Sequence, residues 1–304
     1  MGDNAPRGAL AAGLAFFIWG LFPLYWKLVG TVPALQVLAH RGLWCAVAVW
    51  LVLLARREFA WIGGLSARLW MLLALGGVLI TVNWGVYVWA VARGHVIDTS
   101  LGYFITPLVN VLLAIAVLRE RPTWPQWIAV GIAGGGVLLL TMRAGQLPWI
   151  ALALACSFGL YGLVRKLAVI DAMHGLAVES GLMLLPALAY LWWCAHAGEL
   201  QFLRGAGRLD MLLVMGGPVT AIPLTLFAWG TRRVSLLAIA VMQYLTPTVQ
   251  LLLGVWFFHE PFGNSRQLAF VLIWVALALF TGEALWRYRK TTAVTASSGA
   301  AAGK

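Results

Sequence analysis

Two charged residues of opposite sign lie inside long apolar runs of the sequence. Arg41 comes about eight residues into the run 33–54, and Glu179 occupies a comparable place in the run 175–195. A charged side chain within a bilayer costs about 2.5–3.5 kcal/mol on insertion scales unless it is paired or faces water. We predict that Arg41 and Glu179 face a central pathway and meet the charged ends of a small-molecule substrate. A structural ion pair, or snorkelling to the nearer surface, is the alternative.

A polar and aromatic series accompanies these two charges in other apolar runs. Its members are Asn83, Tyr103, Thr106, Asn110, Gln243, Tyr244, Thr246 and Gln250. Positions 103, 106 and 110 have the spacing i, i+3, i+7, and positions 243, 246 and 250 repeat it, so each set falls on one helix face. Such stripes either join helices by hydrogen bonds or line a wet cavity. We predict a substrate cavity here, with Trp19 and Tyr161 available to stack on an aromatic or cationic substrate.

Two prolines lie near the middle of the runs that carry these stripes. Pro107 and Pro247 each follow a threonine. A proline removes one backbone hydrogen bond and kinks or breaks a helix, and the freed carbonyl needs a partner within the membrane. We predict helix breaks at Pro107 and Pro247 that border the cavity; the alternative is that both prolines only shape packing.

The composition excludes most soluble classes of protein. Of 304 residues, 62% are hydrophobic and 10% are charged, whereas soluble domains are roughly 25% charged. The net charge of +11 does not indicate nucleic acid binding, because the basic residues lie in short gaps between apolar runs. Gap placement of this kind orients a membrane protein.

The apolar runs predict an all-α membrane protein, since they are continuous and do not alternate as barrel strands do. Ten transmembrane helices are predicted, at about 8–26, 33–54, 69–91, 97–118, 124–142, 148–164, 175–195, 211–230, 235–258 and 266–286. The small and polar segment 291–304 is predicted to be disordered.

The positive charges predict the orientation of these helices. Of the 21 Lys and Arg residues, 14 fall on one face of the predicted membrane and six on the other, with Arg41 inside a span. Loops rich in Lys and Arg stay in the cytoplasm. Both chain termini are therefore predicted to lie inside the cell.

An internal repeat divides the predicted helices into two sets of five. Residues 102–129 align without gaps over 242–269, which pairs Thr106 with Thr246, Pro107 with Pro247 and Glu120 with Glu260. We predict one five-helix repeat over 1–145 and a second over 146–290. Because five is odd, the second repeat enters the membrane from the opposite side. Inverted-topology repeats are typical of secondary transporters.

Several segments resemble a known family. They are "AFFIWGLFPLYWK" at 15–27, "LAHRGLW" at 38–44, "NWGVYVWAV" at 83–91, "SLGYFITPLVNVLLA" at 100–114 and "SFGLYGLVRK" at 157–166. These segments look like the RarD-type branch of the EamA transporters, within the drug/metabolite transporter superfamily. The resemblance covers about residues 8–286. It implies ten helices, a multi-pass location in the bacterial inner membrane, and export of small metabolites or drug-like molecules.

The sequence leaves three functions to compare. The first is a secondary transporter that works by alternating access, and the second is a lipid or glycolipid translocase of the same fold. The third, a membrane enzyme, lacks a catalytic or metal-binding motif, and we predict no catalytic residue, cofactor or metal. No nucleotide-binding motif appears either, so an ion gradient, with protons as one candidate, or the substrate gradient must drive transport. Gly131 and Gly135 form a GxxxG pattern that allows close packing against the tenth helix or in a homodimer.

Overall fold

The computed structural model describes the backbone of residues 5–119, 121–204, 207–231, 233–234 and 236–302. Its α-helices are α1 (Ala5–Gly20), α2 (Phe22–Leu28), α3 (Ala34–Arg56), α4 (Ala67–Ala92), α5 (Val96–Leu118), α6 (Trp124–Ala144), α7 (Trp149–Leu167), α8 (Ala172–His196), α9 (Gly207–Thr231), α10 (Leu236–Met242), α11 (Leu245–Leu252) and α12 (Asn264–Ala302). A 3₁₀ turn (Ala60–Gly64) precedes α4, and a π-helical turn (Leu253–Phe257) follows α11. These ranges contain no β-strand, as expected where lipid leaves the backbone no other hydrogen-bond partner than its own helix.

Nine helical segments of the described chain are long and apolar enough to cross a bilayer. They are Pro6–Leu28, Ala34–Arg56, Ala67–Ala92, Val96–Val117, Trp124–Arg143, Trp149–Leu167, Met173–His196, Gly207–Phe227 and Asn264–Glu283. All nine agree with predicted spans to within a few residues. The ninth predicted span, 235–258, is not among these nine segments.

The segment predicted as one span at 235–258 contains two short helices instead. Helix α10 ends at Met242, a two-residue turn follows at Gln243 and Tyr244, and α11 begins at Leu245. Pro247 explains the position of the turn, because a proline clashes with the carbonyl four residues earlier, which is that of Gln243. The ninth predicted span is therefore interrupted at Gln243 and Tyr244, and Pro247 itself lies inside α11.

The matching proline, Pro107, does not interrupt its helix. Helix α5 continues through it from Val96 to Leu118. The prediction of a helix break at Pro107 is therefore wrong. A proline in a helix interior removes one hydrogen bond, and tertiary packing on both sides holds the remaining turns in place; Phe104 and Leu108, which flank Pro107, are both buried.

The last helix is longer than predicted. Helix α12 continues to Ala302 and so includes most of the segment 291–304 that the sequence predicts to be disordered. The alanines of this segment have the highest helix propensity of any residue, which favours a helix where no apolar face exists to bury. The side chains beyond Trp286 lie outside the described part of the chain.

Helices of the first half pack mainly against helices of the second half. Helix α7 packs on α4 and α5, α9 on α1 and α3, α8 on α3 and α4, α11 on α1 and α5, and α12 on α6. Exchanging each of the first five spans with its repeat counterpart reproduces this pattern. The α5–α7 contact becomes α11–α1, the α4–α7 contact becomes α9–α1, and the α3–α9 contact becomes α8–α4.

The α6–α12 pair forms an outer unit of the bundle. Thr123 and Gln126 form a capping box at the start of α6, and both side chains donate to Glu283 of α12, at 2.9 and 3.3 Å. Further along α6, Gly136 approaches the side chain of Leu272. The neighbouring Gly131 and Gly135 face open space, so contact with a second subunit at these two glycines stays a prediction.

Candidate functional site

A cavity of about 200 Å³ lies between α3, α4 and α8, two helices of the first half and one of the second. Its walls are mostly apolar. The lining residues are Leu35, Leu38, Ala39, Gly42, Ile80, Thr81, Trp84, Leu176, Glu179, Ser180, Met183, Pro186, Ala187 and Tyr190. Glu179 is the only carboxylate among these lining residues. Apolar walls with a small number of polar groups are the usual form of a small-molecule site.

Glu179 is buried and fully engaged by neighbours on α7. The hydroxyl of Tyr161 donates to Oε2 at 3.0 Å, and Nη1 of Arg165 lies 3.4 Å from Oε1. Gly76 of α4 makes room for this carboxylate, because a Cβ at Gly76 would lie 2.9 Å from Oε1, and Gly77 lies against the backbone of Glu179. Glu179 therefore has a counter-charge within the protein, which is the ion-pair alternative predicted from the sequence.

Arg165 is a residue of this site that the sequence analysis missed. In the sequence it directly follows the sixth predicted span, and it is one of the 14 Lys and Arg residues predicted to face the cytoplasm. The spacing of Tyr161 and Arg165, i and i+4, places both side chains on one face of α7. That spacing was the available signal that the two residues act together on a partner.

Arg41 is buried in a different environment from Glu179. Its guanidinium carbon lies 3.9 Å from the ring centre of Trp84, 4.9 Å from that of Trp26 and 5.6 Å from that of Phe22. Its Nε donates to the hydroxyl of Thr220 at 3.2 Å, while Nη1 has no hydrogen-bond partner. No carboxylate among the described residues forms an ion pair with Arg41.

Arg41 and Glu179 are predicted to meet one substrate, but the two side chains do not share the cavity wall. Glu179 lines the cavity, and Arg41 does not. The two are linked through Trp84, which lines the cavity and also covers the guanidinium. His40 points elsewhere, with its ring 4.7 Å from that of Phe202, as expected for adjacent helical residues that point about 100° apart.

A hydrogen-bonded chain joins α4, α5 and α7 beside this region. Asn83 donates to the carbonyl of Leu154 at 3.1 Å and to the hydroxyl of Ser157 at 3.0 Å. Its own carbonyl oxygen accepts from Tyr103 at 3.2 Å. The predicted site residues Asn83 and Tyr103 are therefore brought together, where they join helices of the two halves.

A second polar contact connects α11 to the first half. Gln250 is buried, and its Nε2 donates to Tyr87 at 3.2 Å and to the carbonyl of Trp19 at 3.5 Å, while its Oε1 has no partner. Thr246 donates to the carbonyl of Phe16 at 2.7 Å. The Trp19 ring packs at 5.5 Å on Phe16 and does not line the cavity.

The remaining members of the predicted stripes do not converge on the cavity. Thr106 donates to the carbonyl of Gly102 in its own helix at 3.0 Å, and Asn110 is exposed. Gln243 and Tyr244 form the turn between α10 and α11, and the Tyr244 hydroxyl lies 3.5 Å from that of Thr281. Regular spacing in the sequence did not make one face here, because the turn at 243–244 changes the helical register.

A carboxylate cap lies outside the spans, at the start of α5. The two oxygens of Glu260 accept from the backbone N–H groups of Val96 and Ile97 at 2.6 and 2.8 Å. Burial raises the pKa of Glu260, and these two hydrogen bonds oppose that shift. Nearby, Arg266 at the start of α12 reaches Asp98 at 3.3 Å, so two contacts tie the loop before α12 and the start of α12 to α5. The repeat counterpart of Glu260, Glu120, lies outside the described residues.

The described part of the chain contains no group of three or more His, Cys, Asp or Glu residues that could hold a metal ion. The cavity itself offers apolar walls, one paired carboxylate and, one side chain away, a buried guanidinium.

Comparisons with known proteins identify the family of the chain. Residues 6–142 match the EamA-like transporter family. Protein RarD of Streptomyces exfoliatus is 41% identical over 294 residues, covering 96% of this chain and 93% of that protein. The uncharacterized transporter YojE of Bacillus subtilis is also 41% identical and covers 92% of this chain and 96% of that protein.

A more distant relative and a solved structure extend the comparison. Chloramphenicol-sensitive protein RarD of Pseudomonas aeruginosa is 30% identical, covering 90% of this chain and 93% of that protein. A crystal structure of another protein superposes with a TM-score of 0.57 at 20% identity, over 90% of this chain and 97% of that one, which shows a shared fold. The chain therefore belongs to the EamA-like transporter family, among its RarD-type members, as a multi-pass transporter of the drug/metabolite type in the bacterial inner membrane.

Proposed function

We propose that this transporter exports small metabolites or drug-like molecules across the cytoplasmic membrane by alternating access. The observation that carries the proposal is the cavity between α3, α4 and α8, where the two halves of the chain meet around Glu179. Secondary transporters bind their substrates at such a seam between repeats, near the middle of the membrane. The chain acts as a carrier and performs no catalysis.

The proposed mechanism depends on two five-helix repeats, 1–145 and 146–290, of inverted topology with both termini inside. The interhelix contacts support this, because exchanging the halves reproduces the pattern of neighbours. Ten crossings follow if α10, α11 and the π-helical turn together make one broken span, since 22 residues of helix extend about 33 Å. A C-terminal green fluorescent protein fusion should fluoresce, and a C-terminal alkaline phosphatase fusion should be inactive. The opposite result would exclude an internal C-terminus.

Alternating access then requires a change in the contacts that link the halves. The break at Gln243 and Tyr244 gives one half a flexible point that α5 lacks. The Thr246 contact with α1 and the Glu260 contact with the start of α5 both follow that point in the chain. We propose that these contacts form in one state and separate in the other, which opens the cavity to the opposite face.

Protons are the proposed coupling ion, with Glu179 as their carrier. This carboxylate is buried in the cavity wall and can hold a proton when Arg165 or Tyr161 moves away. In proteoliposomes with an imposed pH gradient, Glu179→Gln should abolish gradient-driven transport while leaving exchange of substrate between the two sides. Gradient-driven transport at the wild-type rate in this variant would exclude Glu179 as the carrier.

Filling the cavity gives the sharpest test of the proposed function. Gly42 lines the cavity and has open space around the position of its missing Cβ, so Gly42→Leu should fill the cavity without straining α3. Gly134 on α6 also faces open space and is exposed away from the cavity, so Gly134→Leu is the matched control. Both variants, purified and reconstituted, would be tested for uptake of chloramphenicol and a panel of metabolites.

We expect Gly42→Leu to lose transport of every substrate that the wild-type protein moves, with Gly134→Leu unaffected. Normal transport by a correctly folded Gly42→Leu variant would overturn the cavity as the route. A homodimer would show in the same preparations as a mass of two chains by light scattering in detergent.

A lipid or glycolipid translocase is the second candidate, favoured by the apolar character of most cavity walls. The two functions differ in where the substrate enters. Movement of a fluorescent phospholipid between bilayer leaflets, with no transport of water-soluble compounds, would favour the translocase.

A further inference from the structure

The charge at Arg41 is unusual because no carboxylate among the described residues pairs with it. The side chain is 4% exposed, and the described residues supply it with one hydrogen bond, from Nε to Thr220. Its Nη1 is buried without a partner. Removing an arginine charge from water is costly unless the charge is paired and hydrogen-bonded.

Aromatic rings compensate part of this cost. Trp84, Trp26 and Phe22 present their rings to the guanidinium at 3.9–5.6 Å. Each such cation–π contact stabilises the charge, most strongly where the ring and the cation are shielded from water. Rings do not accept a hydrogen bond in the plane of the guanidinium, so the donor at Nη1 remains available to an oxygen.

A second buried donor without a partner lies beside the guanidinium. It is the indole N–H of Trp26, whose ring packs against Arg41. Nη1 of Arg41 and this indole N–H therefore lack acceptors. A ligand that carried oxygen acceptors and a negative charge would match this imbalance.

The cavity lies one side chain away from the guanidinium. Ala39 and Gly42, which flank Arg41 on α3, both line the cavity, and Trp84 belongs to its wall and to the rings around Arg41. Glu179 at the cavity is already paired with Arg165, so the unmatched charge at the site is positive.

We propose that the substrate is an organic anion whose apolar body occupies the cavity and whose carboxylate binds Arg41 once Trp84 turns aside. This inference rests on the proposed transport function and adds the chemical class of the cargo. A carboxylate supplies the counter-charge and up to four acceptor sites to the unpaired donors.

Three compounds of one shape and different charge test the proposal. Phenylacetate, phenylacetamide and phenethylamine would be measured for binding by equilibrium dialysis against purified protein in lipid nanodiscs. We expect the dissociation constant of phenylacetate to be about tenfold lower than that of phenylacetamide, or lower still. Phenethylamine should bind most weakly.

Variants at Arg41 locate the preference. Arg41→Met should bind phenylacetate and phenylacetamide alike, and Arg41→Lys should keep part of the preference for the anion. Arg56→Met is the matched control, because Arg56 ends the same helix and is exposed. If Arg41→Met fails to fold, the order of the three compounds in the wild-type protein still decides the question.

The outcomes separate the cargo class from the transport function. Equal binding of the three compounds by the wild-type protein, a preference for the amide or the amine, or no binding at millimolar concentration would overturn the organic anion. Those results leave transport by the cavity intact, whereas normal transport by Gly42→Leu would overturn the route whatever the charge of the cargo.

Discussion

The two Thr–Pro pairs of the repeat have similar sequences and different structures. Around Pro107 the helix is continuous, and Thr106 donates to a carbonyl of its own helix. Around Pro247 the chain forms a turn before α11, and Thr246 donates to the carbonyl of Phe16 in α1. The same dipeptide therefore supports either conformation, and its tertiary partners decide between them.

This difference indicates how two similar halves can be unequal at a given moment. A transporter that exchanges conformations between its repeats must hold one half in each form. The helix crossings near the two Thr–Pro pairs also differ, and the helices approach more closely near Pro247 than near Pro107. A Cβ at Gly20 would lie 2.6 Å from Cβ of Val249, whereas a Cβ at Gly159 would lie 3.0 Å from Cγ1 of the matching Val109.

The largest expected effect concerns the two prolines. Pro247→Ala restores an N–H that can bond to the carbonyl of Gln243 and so favours one continuous helix. We expect transport in proteoliposomes to fall about tenfold, which corresponds to roughly 1.4 kcal/mol. Pro107→Ala lies in an unbroken helix and should change transport by about twofold or less. A larger loss with Pro107→Ala than with Pro247→Ala would contradict the comparison.

The glycine crossings give the next largest effect. Gly20→Ala should lower the free energy of unfolding by about 1–3 kcal/mol, because the backbones of α1 and α11 must separate to admit the methyl group. Gly159→Ala should cost less, since its first contact is a side-chain methyl of Val109. Thermal unfolding in detergent compares the two variants. Equal losses would show that the two crossings are equally close.

The threonines test the hydrogen bonds directly. Thr246→Val removes the bond to Phe16 and should cost about 1 kcal/mol. Thr106→Val removes a bond within its own helix, where valine fits the same volume, and should cost about 0.5 kcal/mol or less. Chemical denaturation monitored by tryptophan fluorescence provides the measurement, and a greater loss at Thr106 would reverse the order predicted here.

The smallest effect is a pH dependence at Glu260. Burial raises its pKa above the ordinary 4.5, so the folded protein binds the proton more tightly than the unfolded chain does. The resulting stabilisation is fully present below about pH 4.5 and is lost as the pH rises through the raised pKa. The melting temperature of the wild type, relative to that of Glu260→Gln, should therefore fall as the pH rises over that range. A constant difference between them would exclude the effect.

The counterpart Glu120 extends this comparison to the other half. The repeat predicts for it a role parallel to that of Glu260. Glu120→Gln should then show a pH dependence of the same sign.

The membrane spans could be predicted closely because bilayer thickness fixes the length of an apolar helix. The predicted 33–54 became Ala34–Arg56, and 69–91 became Ala67–Ala92. The conformation of the two proline-containing spans could not be predicted, because a proline shows where a helix can break and the packing of neighbouring helices decides whether it does.

The candidate site was predicted in part. Arg41 and Glu179 stood out because charge in an apolar run is costly. Their partners did not, because Trp26, Trp84 and Thr220 come from three other helices, and no spacing rule relates positions so far apart in the sequence. Arg165 could have been found from its i+4 relation to Tyr161.

The rings around Arg41 also have a consequence for biogenesis. Phe22 and Trp26 are synthesised before α3, Trp84 follows with α4, and Thr220 arrives only with α9. When α3 reaches the translocon, its guanidinium has only part of this surrounding shell. We therefore expect α3 to leave the translocon together with α2 and α4, and not as an independent membrane anchor.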